Sequence, residues 1–268
     1  RSTLFPYTTL FRSPYSSGTQ GAANSTYQTQ TESFRRVSAQ GAAGSGPAWF
    51  VVETQDGLIY EYGNSADARI EAYGVASVHE WALNKIRDRA GNYVEFIYAE
   101  DTANSTYRPT EIRWTGNGNQ GTSPVYRYTI VYEAANRPDV LHGYRFDHSV
   151  SAVNGLITQE KRIDRLELHY APSGQAARLL RRYDLTYESA GGAGARSRLQ
   201  SVQECAGVAG TDCMAPTTFS WVDGSPGWGA ETNTPAAVPA GVTPLAMDLN
   251  GDGDRKSTRL NSSHPYRS

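Results

Sequence analysis

Several features that would indicate a familiar chemistry are missing from this sequence. It has only 2 cysteines and 5 histidines among 268 residues. It contains no GxSxG motif and no GxxxxGKS or GxxxxGKT motif, so it offers neither a nucleophile elbow nor a P-loop for phosphate. No apolar run approaches the roughly 20 residues that a membrane-spanning helix needs. The sequence therefore predicts no membrane span and favours neither a serine hydrolase nor a nucleotide-driven enzyme.

An initiator methionine is missing as well, and both ends of the chain read as foreign. Residues 10–13, LFRS, can be encoded as CTCTTCCGATCT. The reverse complement of that string, read one base in, encodes residues 254–257, DRKS. Both ends resemble translated sequencing adapters. We therefore expect residues 1–13 and 255–268 to carry no function, as for a fusion scar.

An excess of positive charge is also lacking once these ends are set aside. Residues 14–253 contain 19 Arg and Lys against 26 Asp and Glu, a formal charge of −7, whereas the whole chain carries −2. No basic stripe remains that would neutralise a phosphate backbone or an anionic lipid surface. We therefore expect no nucleic-acid partner.

The sequence does contain many short runs in which apolar and polar residues alternate. In YRYTIVYE, side chains that alternate along a strand place Tyr126, Tyr128, Ile130 and Tyr132 on one face, which we expect to be the better-buried one. Asp56-Gly57 predicts a tight hairpin because glycine tolerates a positive φ, and the stretch TGNGNQGTSP predicts a longer hairpin loop. The pattern is typical of an all-β fold built from antiparallel hairpins or a meander.

The order of these runs is more informative than any one of them. Between Tyr27 and Trp221 the chain reads, in order, YQTQTESFRRV, AWFVVETQDGLIYEYG, EWALNKIRDRAGNYVEFIYAED, YRPTEIRW, RRYDLTYES, RLQSVQEC and APTTFSW. This series resembles the N-terminal domain of the SpvB/TcaC family, which occurs in toxin-complex B components and Rhs-type secreted proteins. The resemblance implies a contribution to a β-rich shell and a secreted or cell-surface location in a bacterium.

The stretch LAMDLNGDGD resembles the start of an FG-GAP-like propeller repeat, which follows that domain in the family. The resemblance implies that Asp248, Asn250 and Asp252 hold the first, third and fifth ligand positions of a calcium loop. The further carboxylate would fall where Lys256 stands, so Ca²⁺ is expected in the intact protein and not in this fragment. The predicted organisation is an artefact at 1–13, the SpvB/TcaC-like β domain at 14–223, a Pro/Gly/Ala-rich linker at 224–244, a truncated repeat at 245–254 and an artefact at 255–268.

The two cysteines, Cys205 and Cys213, flank a small glycine-bearing loop. Because the resemblance implies export, we favour a disulfide between them, worth about 2–3 kcal/mol by closure of a short loop. Two unpaired thiols in a cytosolic protein are the alternative.

Other groupings admit a site but have simpler explanations. Two histidines and an aspartate in HGYRFDHS suggest a metal or acid–base cluster, but a chance pairing on one strand and turn explains them: His142, Asp147 and His148. Carboxylates around two hairpins could serve a glycosidase, although alternation places such groups on solvated faces: Glu53, Asp56, Glu61, Glu95, Glu100 and Asp101. Tryptophans near turns could stack on sugars, although sheet packing explains them as well: Trp49, Trp114 and Trp228.

These observations favour a structural module that is not an enzyme. We expect it to help build a β shell that encloses or presents a C-terminal effector, with the rest of its own chain and other toxin-complex subunits as partners. The alternative is a surface adhesin, or glycan- or protein-binding β module.

Overall fold

The computed structural model describes most of the chain up to Trp221 and two short strands beyond it. The described residues are 15–19, 21–29, 32–44, 46–71, 78–104, 106–144, 156–188, 196–207, 209–221, 245–247 and 256–258. By their contacts the residues divide into a unit at 1–221 and a unit at 222–268. In the second unit, the strands at 245–247 and 256–258 form an antiparallel pair. No helix in the described ranges is long and apolar enough to cross a membrane.

Strands dominate the first unit, and the described residues contain no α-helix. This confirms the all-β prediction. The first ten strands are β1 (Tyr15–Ser17), β2 (Thr26–Tyr27), β3 (Arg36–Gln40), β4 (Trp49–Glu53), β5 (Ile59–Tyr62), β6 (Arg69–Glu71), β7 (Val78–Trp81), β8 (Leu83–Arg87), β9 (Asn92–Asp101) and β10 (Thr106–Asn117). The next ten are β11 (Tyr126–Tyr132), β12 (Leu141–Tyr144), β13 (Leu156–Gln159), β14 (Ile163–Tyr170), β15 (Arg178–Tyr187), β16 (Leu199–Ala206), β17 (Asp212–Cys213), β18 (Thr217–Thr218), β19 (Leu245–Met247) and β20 (Lys256–Thr258). A single 3₁₀ turn, Ala66–Ala68, precedes β6 in the described chain.

The main sheet of the described chain is an antiparallel meander of 14 strands. Its order is β1-β2-β3-β4-β5-β8-β9-β10-β11-β14-β15-β16-β17, and β18 also pairs with β16. Two hairpins are inserted into this order, β6–β7 between β5 and β8, and β12–β13 between β11 and β14. From β1 to β17, each strand of the main sheet therefore pairs with the next main-sheet strand along the chain, whereas β18 returns to pair with β16.

The turn predicted at Asp56-Gly57 is present and joins β4 to β5. Gly57 has a φ of 86°, which a residue with a Cβ rarely adopts. The Thr54 N–H donates to the Leu58 carbonyl oxygen at 3.0 Å, and the Leu58 N–H donates to the Asp56 carboxylate at 3.3 Å. Hydrogen bonds from Thr54 and Leu58 lower the pKa of Asp56. This carboxylate therefore stabilises the turn.

The hydrophobic core lies over the first strands of the sheet. Its fully buried members come from β3, β4 and the inserted β7: Val37, Ala39, Phe50, Val52 and Trp81. The Trp81 ring meets the Phe50 ring edge-on at 4.9 Å, and its Nε1–H donates to the Ala48 carbonyl oxygen at 3.0 Å. Gly63 lies so close that a Cβ there would sit 2.3 Å from Cδ1 of Trp81. The β6–β7 hairpin thus covers β3–β5 as a second layer.

From β9 to β15 the burial is different. In β9, β10, β11, β14 and β15, Gly116 is the one buried residue, and residues on both faces are half-buried. The expected better-buried side is therefore absent here. Half-burial on both faces is what an open sheet shows when its covering layer is not among the described residues. Among the described residues this part of the sheet is one layer thick, except where the β6–β7 hairpin contacts Glu100 of β9 and Tyr107 of β10.

Candidate functional surface

One face of the single-layer region is apolar. Residues directly opposite on neighbouring strands lie on the same face. Two rows of such residues cross β9, β10, β11 and β14: Phe96, Ile112, Tyr128 and Leu168 in one, and Val94, Trp114, Tyr126 and Tyr170 in the other. All eight are half-buried. We call these eight residues the apolar face.

Aromatic rings connect the strands across the apolar face. The Trp114 ring lies 5.9 Å from the Tyr126 ring in a stacked arrangement and 5.5 Å from the Tyr128 ring. The Tyr126 ring lies 5.2 Å from that of Tyr170 on the next strand. Such pairs add about 0.5–1.5 kcal/mol each beyond the area they bury. Trp114 therefore uses its ring for cross-strand packing.

The apolar face is continuous with the buried core. Val37 is opposite Val52, and Val52 is opposite Tyr60. Ile86 on β8 is in turn opposite both Tyr60 and Val94. One face of the sheet therefore runs from the core, where the β6–β7 hairpin covers it, to β14, where no described residue does.

The opposite face is charged and carries ion pairs. Arg113 contacts Glu111 at 2.6 Å and Glu95 at 3.6 Å, and Arg182 contacts Asp184 at 2.9 Å. Glu167 contacts Arg165 at 2.7 Å and His169 at 3.1 Å. Burial raises the pKa of Glu167, but hydrogen bonds from Arg165 and His169 outweigh it and leave the pKa lowered. Partly exposed pairs of this kind contribute about 0–1 kcal/mol each, so this face favours contact with water.

Four of the carboxylates considered for acid–base chemistry are held by ion pairs or hydrogen bonds. Glu53 pairs with Arg36, and Glu95 with Arg113. Glu61, which is buried, accepts from Arg87 at 2.9 Å and from Asn64 at 2.8 Å. Asp101 accepts from the side chain of Asn104 at 2.9 Å. The geometry thus gives these side chains structural roles.

The sequence was compared with models of known protein families. Residues 20–152 match the family model described as SpvB, Salmonella virulence plasmid 65kDa B protein. Over these residues the chain is similar to the SpvB family, and we call residues 20–152 the SpvB segment. The match covers β2 to β12, including both the core and the apolar face up to β11. Among curated proteins, no sequence matched the chain.

Solved structures share the fold of this chain over 68–72% of its length. The N-terminal domain of effector protein SpvB from Salmonella typhimurium strain LT2 aligns with a TM-score of 0.55 and 15% identity over 68% of each chain. TcdB2-TccC3 aligns with a TM-score of 0.52 and 13% identity over 72% of this chain and 12% of that one. The Tc holotoxin pore of Photorhabdus luminescens gives 0.53 and 14% over 72% and 11%. This chain therefore spans about a tenth of the Tc chains, and at these identities the likeness shows the fold.

The remaining predicted site residues are spread over the molecule. His142, in the SpvB segment, has Nδ1 3.4 Å from the Thr158 hydroxyl within the β12–β13 hairpin. Trp49 begins β4. Within the described residues there is no group of three or more His, Cys, Asp or Glu that could hold a metal ion. Six predicted site residues lie outside the described residues: Asp147, His148, Trp228, Asp248, Asn250 and Asp252.

A polar cluster that sequence reasoning missed joins the SpvB segment to the chain beyond it. Asp139 accepts hydrogen bonds from the Arg137 guanidinium at 2.9 and 3.0 Å and from the Ser197 N–H at 2.8 Å. Arg162 donates to both Glu133 oxygens at 2.8 Å and to the Ser197 hydroxyl at 2.9 Å. The hydrogen bond from Arg137, followed by those from Ser197, holds the pKa of Asp139 well below its usual range. The local spacing Arg-Pro-Asp was the one available signal, because Ser197 lies far along the chain.

Cys205 and Cys213 lie opposite each other on β16 and β17 and are joined by a disulfide. Cys205 is buried. The bond closes a loop with a sequence separation of 8 at the last edge of the sheet, beyond the SpvB segment.

Replacing both cysteines with alanine should lower the free energy of unfolding by about 2–3 kcal/mol, because the unfolded chain regains the conformational entropy that the closed loop removes. Urea denaturation of the oxidised protein and of the double variant measures this. Adding a reductant should move the unmodified protein to the midpoint of the variant and leave the variant unchanged. An equal response of both proteins to reductant would contradict the prediction.

Proposed function

We propose that this chain is a non-catalytic structural module of a large secreted or surface toxin-complex or Rhs-like protein. Its sheet forms part of a β shell that encloses or presents a C-terminal effector. The observation that carries the proposal is the single-layer sheet with one apolar face and one charged face. A sheet that forms part of a shell needs two different faces. One face contacts water, and the other contacts the enclosed or neighbouring polypeptide.

The apolar face supports the proposal because leaving its side chains in contact with water costs free energy, which a covering polypeptide would remove. Its eight residues include five aromatic rings and are only half-buried, and contiguous apolar patches of this kind mark surfaces that contact another polypeptide. Similarity to the SpvB family and the shared fold with Tc toxin structures are consistent with such an assembly. The partners proposed are the remainder of the natural chain and other toxin-complex subunits.

Two further elements of the proposal concern location and calcium. The disulfide between Cys205 and Cys213 supports an oxidising, extracellular destination. Asp248, Asn250 and Asp252 would begin an FG-GAP-like calcium loop in the intact protein. Oxygen ligands at alternate positions followed by glycine suit Ca²⁺.

A pair of substitutions on adjacent residues tests the shell. Tyr128 lies on the apolar face, whereas Thr129 lies on the charged face between Glu111 and Glu167. In the complete natural protein, Tyr128→Arg should lower the free energy of unfolding by about 2 kcal/mol, because an aromatic side chain in contact with the enclosed material is lost. Thr129→Arg should change it by less than about 0.5 kcal/mol, as for a surface position. Chemical denaturation of both variants measures the difference.

Equal effects of the two substitutions would show that the two faces are equivalent, which contradicts the proposed shell.

The adhesin alternative is tested by a different measurement on the same protein. A glycan array that gave saturable binding, lost on Trp114→Ala, would support the adhesin and would make the aromatic rings a binding platform. Hydrolysis of chromogenic glycosides, lost on Glu53→Gln or Glu95→Gln, would support an enzyme.

A further inference from the structure

The β6–β7 hairpin is attached to the main sheet through carboxylates. In the 3₁₀ turn before it, Asp67 accepts from the Tyr98 N–H of β9 at 2.8 Å. The Glu71 N–H of β6 donates to the Glu100 carboxylate of β9 at 3.3 Å. On β7, Glu80 accepts from the Tyr107 hydroxyl of β10 at 2.8 Å. Four strands, β6, β7, β9 and β10, and the 3₁₀ turn thus meet where acidic groups are concentrated.

Glu100 lies at the centre of this contact. Its neighbours are Glu71 from β6, Asp67 from the 3₁₀ turn and, directly opposite on β10, Tyr107. Glu80 of β7 reaches the same region through Tyr107. The charged groups that act on Glu100 are therefore acidic, Glu71 and Asp67. The Glu100 carboxyl also hydrogen-bonds the Glu71 carboxyl, and a proton on Glu100 supplies the donor for that bond.

We propose that Glu71 and Glu100 form a proton-dependent lock that holds the β6–β7 hairpin on the sheet. With one shared proton the two carboxyl groups are hydrogen-bonded and the hairpin is closed over the core. When both are ionised they repel each other and Asp67, and the hairpin loosens. The hairpin carries Trp81, so the lock controls access to the core of the SpvB segment. This regulation is independent of the shell function proposed above.

The pKa of Glu100 gives the direction in which the stability of the closed hairpin changes with pH, and the pH range of that change. Burial, the hydrogen bond to the Glu71 carboxyl and the charges of Glu71 and Asp67 raise the pKa of Glu100 to about 7, while the Glu71 N–H lowers it by less. The folded protein therefore binds a proton that the unfolded chain releases near pH 4.5. Stabilisation by the lock is complete below about pH 4.5 and is lost as the pH rises towards about 7. The hairpin is closed in acid and looser above neutral pH.

Hydrogen exchange of the backbone amides at 69–71 and 78–81, in the full chain, tests the lock. Observed rates are divided by the intrinsic chemical rates at each pH to give protection factors. From pH 5 to pH 8 these protection factors should fall about tenfold, the equivalent of one pKa unit, because solvent screening reduces the effect at a half-buried group. Glu100→Gln should remove the fall, since glutamine keeps the shape and carries no charge. Glu95→Gln, on the same strand but paired with Arg113 on the charged face, should retain it.

Two results overturn the lock. One is protection in the unmodified chain that does not change between pH 5 and pH 8, and the other is the same fall in Glu100→Gln. If Glu100→Gln fails to fold, a carbon-13 titration of the Glu100 carboxyl in the unmodified chain takes its place. A midpoint near 7 supports the lock, and a midpoint near 4.5 overturns it.

Discussion

Replacing Trp81 with alanine should lower the free energy of unfolding by about 3–5 kcal/mol, the range for deleting a large aromatic side chain from a packed core. Trp81 is 5% exposed and packs edge-on against Phe50 at 4.9 Å. Its removal would also leave the Ala48 carbonyl oxygen without its indole donor. The core is small, so little surrounding material can collapse into the cavity. Chemical denaturation followed by circular dichroism measures the change.

Trp221→Ala is the matched control for this substitution. Trp221 is 49% exposed, although its Nε1–H donates to the Leu199 carbonyl oxygen at 2.7 Å. We expect a loss of about 1 kcal/mol, the net worth of one hydrogen bond. If the two substitutions cost the same, the β6–β7 hairpin does not form the second layer of the core.

Replacing Asp139 with alanine should lower the free energy of unfolding by a similar amount, about 3–5 kcal/mol, because it leaves a buried partner charge uncompensated. The side chains of Asp139 and Arg137 are 6% and 14% exposed. The substitution would also remove the acceptor of the Ser197 N–H, which holds the segment just before β16 in place. Asp164→Ala is the control, since Asp164 pairs with Arg165 at 44% exposure and should cost at most about 1 kcal/mol.

The acid response gives an independent check on Asp139. Its pKa is depressed in the folded protein, so its contribution is present above the unfolded value of 3.8 and is lost as the pH falls below that value. Thermal denaturation from pH 5 to pH 2 should therefore show a steeper loss in the unmodified protein than in Asp139→Ala. Parallel curves for the two proteins would show that this carboxylate contributes no pH-dependent stability.

The features that the sequence could predict are those that depend on residues close together along the chain. Alternation in YRYTIVYE placed Tyr126, Tyr128, Ile130 and Tyr132 on one face. The register confirms this for Tyr126, Tyr128 and Ile130, which lie opposite Tyr170, Leu168 and Leu166 on β14, and shifts before Tyr132. Asp56-Gly57 predicted its hairpin because the turn depends on two adjacent residues. The order of several such runs predicted the resemblance to the SpvB family, which the comparison found over residues 20–152.

Features that depend on distant partners could not be predicted in this way. Nothing around Trp81 distinguishes a tryptophan that closes a core from one that packs on an open sheet. Asp139 and Ser197 come together only after β12–β16 are placed, and Glu71 meets Glu100 only when the inserted hairpin docks. The expectation of a better-buried side failed for β9–β15 for a related reason. Alternation identifies the apolar face of a strand, but the layer that covers that face is a property of the whole assembly.

The sequential order of the meander has a consequence for how the chain acquires its structure. Each main-sheet strand from β1 to β17 pairs with the next one along the chain, β18 pairs with β16, and the two insertions are hairpins that pair with themselves. Closing such short loops costs little entropy, so pairing need not wait for distant segments. The sheet can therefore grow one strand at a time as the polypeptide emerges from the ribosome. The bond between Asp139 and Ser197 would form late, after its two ends have both been synthesised, and would complete the C-terminal strands.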